Sequence, residues 1–536
     1  MRLPGRISAF VAAVAAVFLL HSCSGLDVEF PPEQPDGYIA LLNIYNSGEE
    51  YCSFKSLELT TLLTFESRTL SVKHTEMEVH DCTSGGCPPV CVDDSGRYWL
   101  ISGENSWIGY HEGLPNESAQ PVYVYVDEET LHMLISNGNR IDFDKIDESL
   151  IPEKFMMPTV RITHSGSIKK DTYVEGNVTI SDPDRHYSQE MSFSLPMKIK
   201  GRGNSTWGMP KKPYRIKLSE KKEVLGMAAN KDWVLLANYA DKSLMRNTAA
   251  MKVSRILEFP WTPASRQVEV YINNSYCGVY DLFEHKEVAK EKVNIGKEDY
   301  YLEIEQTIDE PNYFWTSKGV PIQIKYPEEL TSEQKEYVKK YFKDFESTLY
   351  GSNFKNATTG YATYIDVDSF IDNFIIEELS KDIDGNVRKS SFLTLEKGGK
   401  LKFYHQWDFD LAFGNADYFP DGNNGPTGWW IKDYGTSSTK GNGWYYRLFQ
   451  DPTFVKKVQK RWDEVYPQLK KVPDFIEKSV TEMGDAPTRN FKKWNILGTY
   501  VWPNVKVTGS YAGEVAYLEN FYKERLEWID TNIDKL

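Results

Sequence analysis

The stretch Asp366–Asn415, DVDSFIDNFIIEELSKDIDGNVRKSSFLTLEKGGKLKFYHQWDFDLAFGN, decides how the chain is read. In its first part Phe370, Ile371, Phe374 and Ile375 recur at the spacing that lines one face of a helix. Asp366 and Asp368 stand before them as cap candidates, so a buried helix is expected. A polar loop, DIDGNVRK, follows. Two β-rich runs then flank Gly398-Gly399, a pair able to supply positive φ, which reads as a hairpin. The second run leads into WDFDLAFGN, where Asp408 and Asp410 stand two residues apart, and in an extended segment both carboxylates would point the same way.

A buried helix, an Asp-bearing loop, a short hairpin and a second Asp-bearing loop form the layout of a kinase C-lobe. There one Asp orients the nucleophile and another holds Mg²⁺ on the phosphates. The same residues fit a plainer reading, with Asp382 and Asp384 as turn residues and Asp408 and Asp410 closing a strand.

Working outward, 536 residues are enough for two or three domains and a large core. A net charge of -15 argues against a nucleic-acid partner, which needs a basic field. At the N-terminus Arg2 and Arg6 precede an apolar run, Ala9 to Leu20, and then Leu20-His21-Ser22-Cys23, the pattern of a secretory signal. That ending resembles a bacterial lipobox, which implies a lipidated Cys23, a membrane anchor and an outer-membrane lipoprotein of the cell envelope. Of the remaining cysteines, Cys52, Cys82, Cys87 and Cys91 lie close together, and in an exported chain a structural disulfide is expected among them rather than zinc. Cys277 is expected to be a buried thiol.

Residues 24–158 read as a β-rich domain of short aromatic and β-branched strands separated by Gly, Asn and Pro turns. It resembles the small modules that follow the lipobox in Bacteroidetes surface lipoproteins, and is expected to act as a spacer, with glycan binding as the alternative. Residues 159–536 form the main domain. Strands are expected in VRITHSGSIKKDTYVEGNVTISD and on both sides of a Gly-rich turn in SFSLPMKIKGRGNSTWGMPKKPYRIKL, where Gly201, Gly203 and Gly208 flank Lys200, Arg202, Lys211 and Lys212. Such a turn lets backbone N–H groups approach phosphates while a Lys supplies point charge, although neither a Walker A pattern nor GxGxxG is present. A strand is expected over Trp233–Leu236, a helix over Asp241–Leu257, and a hairpin turning at Asn273-Asn274 that ends at Glu284. Thr331 and Gln334 have capping-box spacing ahead of another helix. Helices are also expected over Asp451–Lys471, Pro473–Met483 and Ala512–Leu536, and the polar run after Asn415 reads as a long surface loop near the cleft.

Taken together and in order, GRGNSTWGMPKKPYRIKL, LANYADKSLMRNTAAM, GVYDLFEHKE and WDFDLAFGN resemble the CotH family of atypical secreted or surface protein kinases, over about Lys198 to the C-terminus. The resemblance implies that Lys211 or Lys212 contacts the phosphates of ATP, with Arg202 on the same side, and that Glu284 fixes the Lys. It implies that Asp384 is the catalytic Asp and that Asp408 holds Mg²⁺ with Asp410 close by. Arg246 and Asn247 fall in the family's (L/M)RN motif, with a structural or phosphate-side role. Two positions depart from the pattern. Gln406 stands where some members have Pro, and the loop after Asp384 reads GNVRKSS, leaving Asn386 as a candidate amide ligand.

The fold class expected is therefore α+β, an atypical two-lobed kinase-like domain preceded by a small β-rich one. The function expected is Mg-ATP-dependent phosphoryl transfer to Ser/Thr hydroxyls of an extracytoplasmic protein. A rival is an inactive kinase-fold surface lipoprotein that binds glycans or partner proteins. A third reading, a glycosidase, needs two acids about 5 to 10 Å apart across a sugar groove, and leaves the Lys-rich turn without a role.

Overall fold

The computed structural model describes residues 157–536, apart from 184, 189, 309–310, 386 and 435–439, together with the backbone of six strands before them. The expected signal segment, Cys23, the pairing of Cys52, Cys82, Cys87 and Cys91, and Asn386 lie outside the described residues. The chain divides into two units, Met1–Lys154 and Phe155–Leu536. In the first, β1 (Gly37–Ile44), β2 (Glu78–His80), β3 (Val90–Val92), β4 (Arg97–Ile101), β5 (Trp107–Glu112) and β6 (Gln120–Asp127) form one antiparallel sheet in the order β1-β6-β5-β4-β3-β2.

The second unit is α+β. Seven strands, β7 (Thr159–His164), β8 (Val174–Ser181), β9 (Ser192–Gly201), β10 (Tyr214–Val224), β11 (Met227–Leu236), β12 (Ser265–Ile272) and β13 (Ser275–Glu284), close into a barrel in the order β10-β11-β13-β12-β7-β8-β9. Closure rests on a parallel pairing of β12 with β7, the others being antiparallel. Inward positions carry Val160, Ile162, Val178, Ile180, Ile199 and Ile216, the period-2 burial that a pleated wall imposes. The β12–β13 hairpin turns at Asn273 and Asn274, both at positive φ (48° and 63°), as a two-residue turn matched to strand twist requires.

The second sheet holds β14 (Tyr300–Ile304), β15 (Tyr313–Trp315), β16 (Pro321–Tyr326), β17 (Ser391–Leu395) and β18 (Leu401–His405), in the order β15-β16-β14-β17-β18. The helices are α1 (Ser205–Gly208), α2 (Arg246–Ile256), α3 (Ser332–Leu349), α4 (Val367–Ser380), α5 (Ile431–Tyr434), α6 (Trp444–Leu448), α7 (Pro452–Leu469), α8 (Val472–Glu482), α9 (Ala486–Lys493) and α10 (Tyr511–Ile533). Phe370, Phe374 and Ile375 of α4 join Phe342 of α3, Trp462 of α7, Tyr522 of α10 and Phe403 of the sheet in one core. Local chemistry sets the ends of these helices. Thr331 and Gln334 make the expected capping box on α3, and the Asp366 carboxylate accepts from the Ser369 N–H at 2.9 Å to start α4.

Two expectations are corrected. The helix expected from Asp241 begins only at Arg246, because the Asp241 carboxylate accepts from the N–H groups of Ser243 and Arg246 across a turn in which Leu244 has φ 58°. The run after Asn415 is not a loose surface loop. It buries Ala416, Phe419 and Trp430 against Ile383, and its carbonyls at Asn423, Gly425 and Thr427 accept from Lys381 Nζ at 2.8, 2.7 and 2.9 Å. Its backbone carbonyls serve the buried Lys381 ammonium, while Asp421, Gly422 and Thr427 face solvent.

Candidate active-site cleft

α4 stops at Lys381, which takes a left-handed C-cap conformation (φ 47°, ψ 48°) and turns the chain into the loop expected to carry chemistry. Asp382 is buried, and its carboxylate accepts from the N–H of Asp384 (3.3 Å) and of Gly385 (2.9 Å). This Asx-type turn sends Asp384 outward. Asp384 Oδ1 accepts from the Tyr418 hydroxyl at 3.0 Å, and Oδ2 lies 3.2 Å from Lys389 Nζ.

The β17–β18 hairpin then delivers Trp407, whose ring is buried, and Asp408, which is exposed. Asp408 has φ 74°, so the segment is not extended as the alternation suggested, yet Asp408 and Asp410 both line one cavity with Asp384. The turn is pinned from behind. The Phe409 N–H donates to Asn247 Oδ1 at 2.8 Å, and Arg246 Nε donates to the Ala412 carbonyl at 3.0 Å.

The barrel supplies the facing wall. Arg202 sits between two glycines at the end of β9. A Cβ on Gly201 would lie 2.3 Å from the Trp207 ring, and Gly203 has φ 83°, so neither position has room for a side chain without strain. Burial lowers the Arg202 guanidinium pKa, and the Asp408 and Asp410 carboxylates oppose that shift. Just past β13, Lys286 Nζ donates to Glu303 Oε1 of β14 at 2.6 Å, and Lys325 Nζ lies 3.5 Å from Oε2 of the same carboxylate. Burial pushes Glu303 up, but the two lysines outweigh it and its pKa ends below the usual carboxylate range. The resulting cleft has a volume of about 1100 Å³.

Of the residues singled out in the sequence, Asp384, Asp408, Asp410, Lys200, Arg202, Lys211 and Asn247 line this cleft. Lys211, however, has its ammonium committed elsewhere. It donates to the Val279 carbonyl and to Asn490 Oδ1 of α9 (2.9 Å), tying the barrel to that helix. Burial lowers its pKa to about 7 against the pull of Asp281. Lys212, Glu284 and Arg246 stand outside the cleft lining. Lys212 Nζ donates to the Trp207 carbonyl at 2.7 Å, and Glu284 Oε2 accepts from the Ala264 N–H at 2.8 Å. Among the described residues no ion pair joins Glu284 to either lysine; in the cleft it is Glu303 that pairs with lysines, Lys286 and Lys325.

Arg246 is fully buried against Asp241 (2.6 Å), which removes it from the phosphate side and makes it a brace for the Asp408 turn. Gln406, the departure from the family pattern, is buried and donates to Asn373 Oδ1 at 3.0 Å. Lys286 was present in the GVYDLFEHKE motif, two residues past Glu284. Glu303 carried a fainter signal, a lone carboxylate inside the apolar strand YYLEI.

The carboxylate wall is under mutual repulsion. Burial raises Asp410 well above its ordinary value, and Asp408, Asp241, Asp382 and Asp384 raise it further. Asp382 is raised by burial and by Asp384 and Asp408. A divalent cation would relieve that repulsion, so the donor set fits one. Among the described residues no group of three or more His, Cys, Asp or Glu is placed to hold a metal by itself. Mg²⁺ is commonly held by one or two carboxylates together with substrate phosphate oxygens, a role Asp408 and Asp410 are placed to fill. Asp408 and Asp410 facing Arg202, with Lys286 and Lys325 beyond it, suit a metal-bound polyphosphate lying between them.

Among the described residues no helix is long and apolar enough to cross a membrane. No curated protein matches the chain. The family model described as CotH kinase protein matches residues 199–529, well over half of the sequence and every charged side chain of the cleft named above, and the chain therefore belongs to the CotH kinase family.

Proposed function

We propose that this protein is a Mg-ATP-dependent protein kinase that phosphorylates Ser/Thr hydroxyls of extracytoplasmic proteins. In this reading it is anchored to the outer membrane through a lipidated Cys23, and the barrel half and the helix-rich half act as the two lobes. The observation that carries the reading is the convergence of Asp384, Asp408 and Asp410 with Arg202 and the Lys286–Glu303 pair on one cleft of nucleotide size.

Asp384 accepts or orients the acceptor hydroxyl proton, and Lys389, at 3.2 Å, holds its carboxylate in place. Arg202 and Lys286 supply positive charge to the phosphates, with Glu303 fixing the lysine as the family's Lys–Glu pair would. Asp408 and Asp410 would hold Mg²⁺, which when bound neutralises charge on the transferring phosphoryl group. Fixed charges and positioning then account for catalysis, with no covalent step on the protein.

The test is transfer of radiolabelled γ-phosphate by the full chain to an extracytoplasmic protein fraction. Asp408→Ala should abolish labelling, and full labelling by that variant would overturn the assignment. Absence of both labelling and Mg-ATP binding heat in the wild type would leave a kinase-fold scaffold instead.

A further inference from the structure

On the reading just given, we propose that Trp502 is the specificity-determining residue for the acceptor: its free indole face stacks against an aromatic side chain or a proline within a few residues of the phosphorylated hydroxyl.

Exposure is the first ground. Large apolar side chains at least a third exposed are few among the described residues, and four of them, Tyr500, Trp502, Val505 and Val507, fall within eight positions of one another. Trp502 is 51% exposed and still lines the cleft with Asp384 and Asp408. A Trp left this open forgoes a large hydrophobic gain unless something covers it.

The second ground is that the segment is held in place. The Lys242 ammonium donates to the Thr499 carbonyl. Buried Asn504 donates to the Ala240 carbonyl (2.7 Å) and to Asn415 Oδ1 (2.9 Å), and the Val505 N–H donates to the Asn415 carbonyl (3.2 Å). These anchors lie just beyond the Asp408–Asp410 turn, so the indole is displayed at a fixed place relative to the carboxylates. It does not hang from a free loop.

Geometry names the occupant. The Trp502 ring lies parallel to that of Tyr418, with centroids 5.8 Å apart and planes 9° apart, and the Tyr418 hydroxyl reaches Asp384 Oδ1 at 3.0 Å. Two rings are thus already stacked beside the carboxylate that faces the acceptor, which sits at the hydroxyl edge of the inner ring, and a third flat group extends the stack on its open side. From the indole to that carboxylate the path is no more than roughly 12 Å, three to four residues of extended chain. A polypeptide passing its hydroxyl to Asp384 therefore lays a neighbouring side chain on Trp502.

The experiment uses the full chain, Mg-ATP and matched Ser-containing peptides that carry Tyr, Pro or Gly at each of the four positions on either side of Ser. For the wild type, Tyr or Pro at one or two of these positions should lower KM relative to Gly. Trp502→Ala should raise KM for those peptides about tenfold and erase the difference from Gly, with the KM for Mg-ATP unchanged, while Trp502→Phe retains most of the discrimination. Discrimination that survives in Trp502→Ala overturns the inference and leaves the kinase reading intact. A weakened Mg-ATP titration in Trp502→Ala overturns it in favour of base stacking. Failure of the wild type to label any peptide or protein overturns both.

Discussion

Replacing Arg246 with Met tests the claim that the (L/M)RN segment braces the Asp408 turn and does not touch the nucleotide. Arg246 and Asp241 are both fully buried and lie 2.6 Å apart. Met is close in length and would leave little void, so packing is a minor term. The large terms are polar. Removing one member of a buried pair strands the other, at about 3–5 kcal/mol. Here Asp241 keeps three donors, the N–H groups of Ser243 and residue 246 and the Ser243 hydroxyl, which places that term at the lower end. The Ala412 carbonyl also loses its Nε donor (3.0 Å), adding about 1–2 kcal/mol. The expected loss is about 4 kcal/mol by urea unfolding, with a fall in phosphoryl transfer because the turn carrying Asp408 and Asp410 is released at one end. Asp241→Asn in the Arg246→Met background should recover part of the stability, since the stranded charge is then gone. A loss under about 1 kcal/mol for Arg246→Met, or no recovery in the double variant, would refute the brace.

Two further outcomes follow from buried ionisable groups. Burial lifts Asp281 to about 7 and brings Lys211 down to about 7. The folded state thus keeps the Asp281 proton after the unfolded chain has lost it, so this group's stabilisation falls as pH rises from its ordinary 3.8 towards 7. Lys211 gives up its proton first in the folded state, so its stabilisation grows from 7 towards its ordinary 10.5. Stability should therefore dip near neutrality, and Asp281→Asn should flatten the acid-side slope of the urea midpoint against pH; an unchanged slope counts against the shift. In the loop beside Asp384, Lys381→Met removes the donor shared by three carbonyls. The expected loss is about 1–3 kcal/mol, with proteolysis over residues 423–427 at least severalfold faster, and an unchanged cleavage rate would show that the ammonium does not hold the loop.

What the sequence disclosed and what it hid divide along physical lines. α4 with its Asp366 cap, the α3 capping box and the Asn273-Asn274 turn are local. Each is written in a handful of neighbouring residues, so each could be read directly. Barrel closure was invisible because it depends on Glu269 to Ile272 pairing with Thr159 to Ile162, over a hundred residues earlier. The Asp384, Asp408 and Asp410 positions were legible as short motifs, and the cleft lining includes all three. A Lys after a Gly turn and a Glu ending a hairpin suit a Lys–Glu pair, which points to Lys211 or Lys212 with Glu284. Nothing in a one-dimensional pattern reveals that the Asn490 amide from α9 takes Lys211, or that the Ala264 N–H takes Glu284. Lys286 and Glu303 meet only because β14 passes beside the end of β13, a fact of packing that neither residue announces.

The left-handed conformation of Asp408 ties these levels together. A residue with a Cβ at φ 74° costs about 1–2 kcal/mol relative to an ordinary conformation, a cost that Gly would avoid. Keeping Asp there makes sense only if the carboxylate is needed where the turn puts it. The structure holds it by burying Trp407 and Phe409 on either side and by fastening the Phe409 N–H to Asn247. Asn247 is held in turn, donating to Asn238 Oδ1 at 3.3 Å, and Asn238 donates to Asp281 at 2.7 Å. The exposed acid on the helical side of the cleft is thus fixed through a line of amides reaching into β13 of the barrel. A shift of the barrel wall that carries Arg202 and Lys286 therefore pulls on the anchor of Asp408, so the two walls are mechanically coupled through the Asn247 and Asn238 amides of the cleft lining and the buried Asp281 behind them.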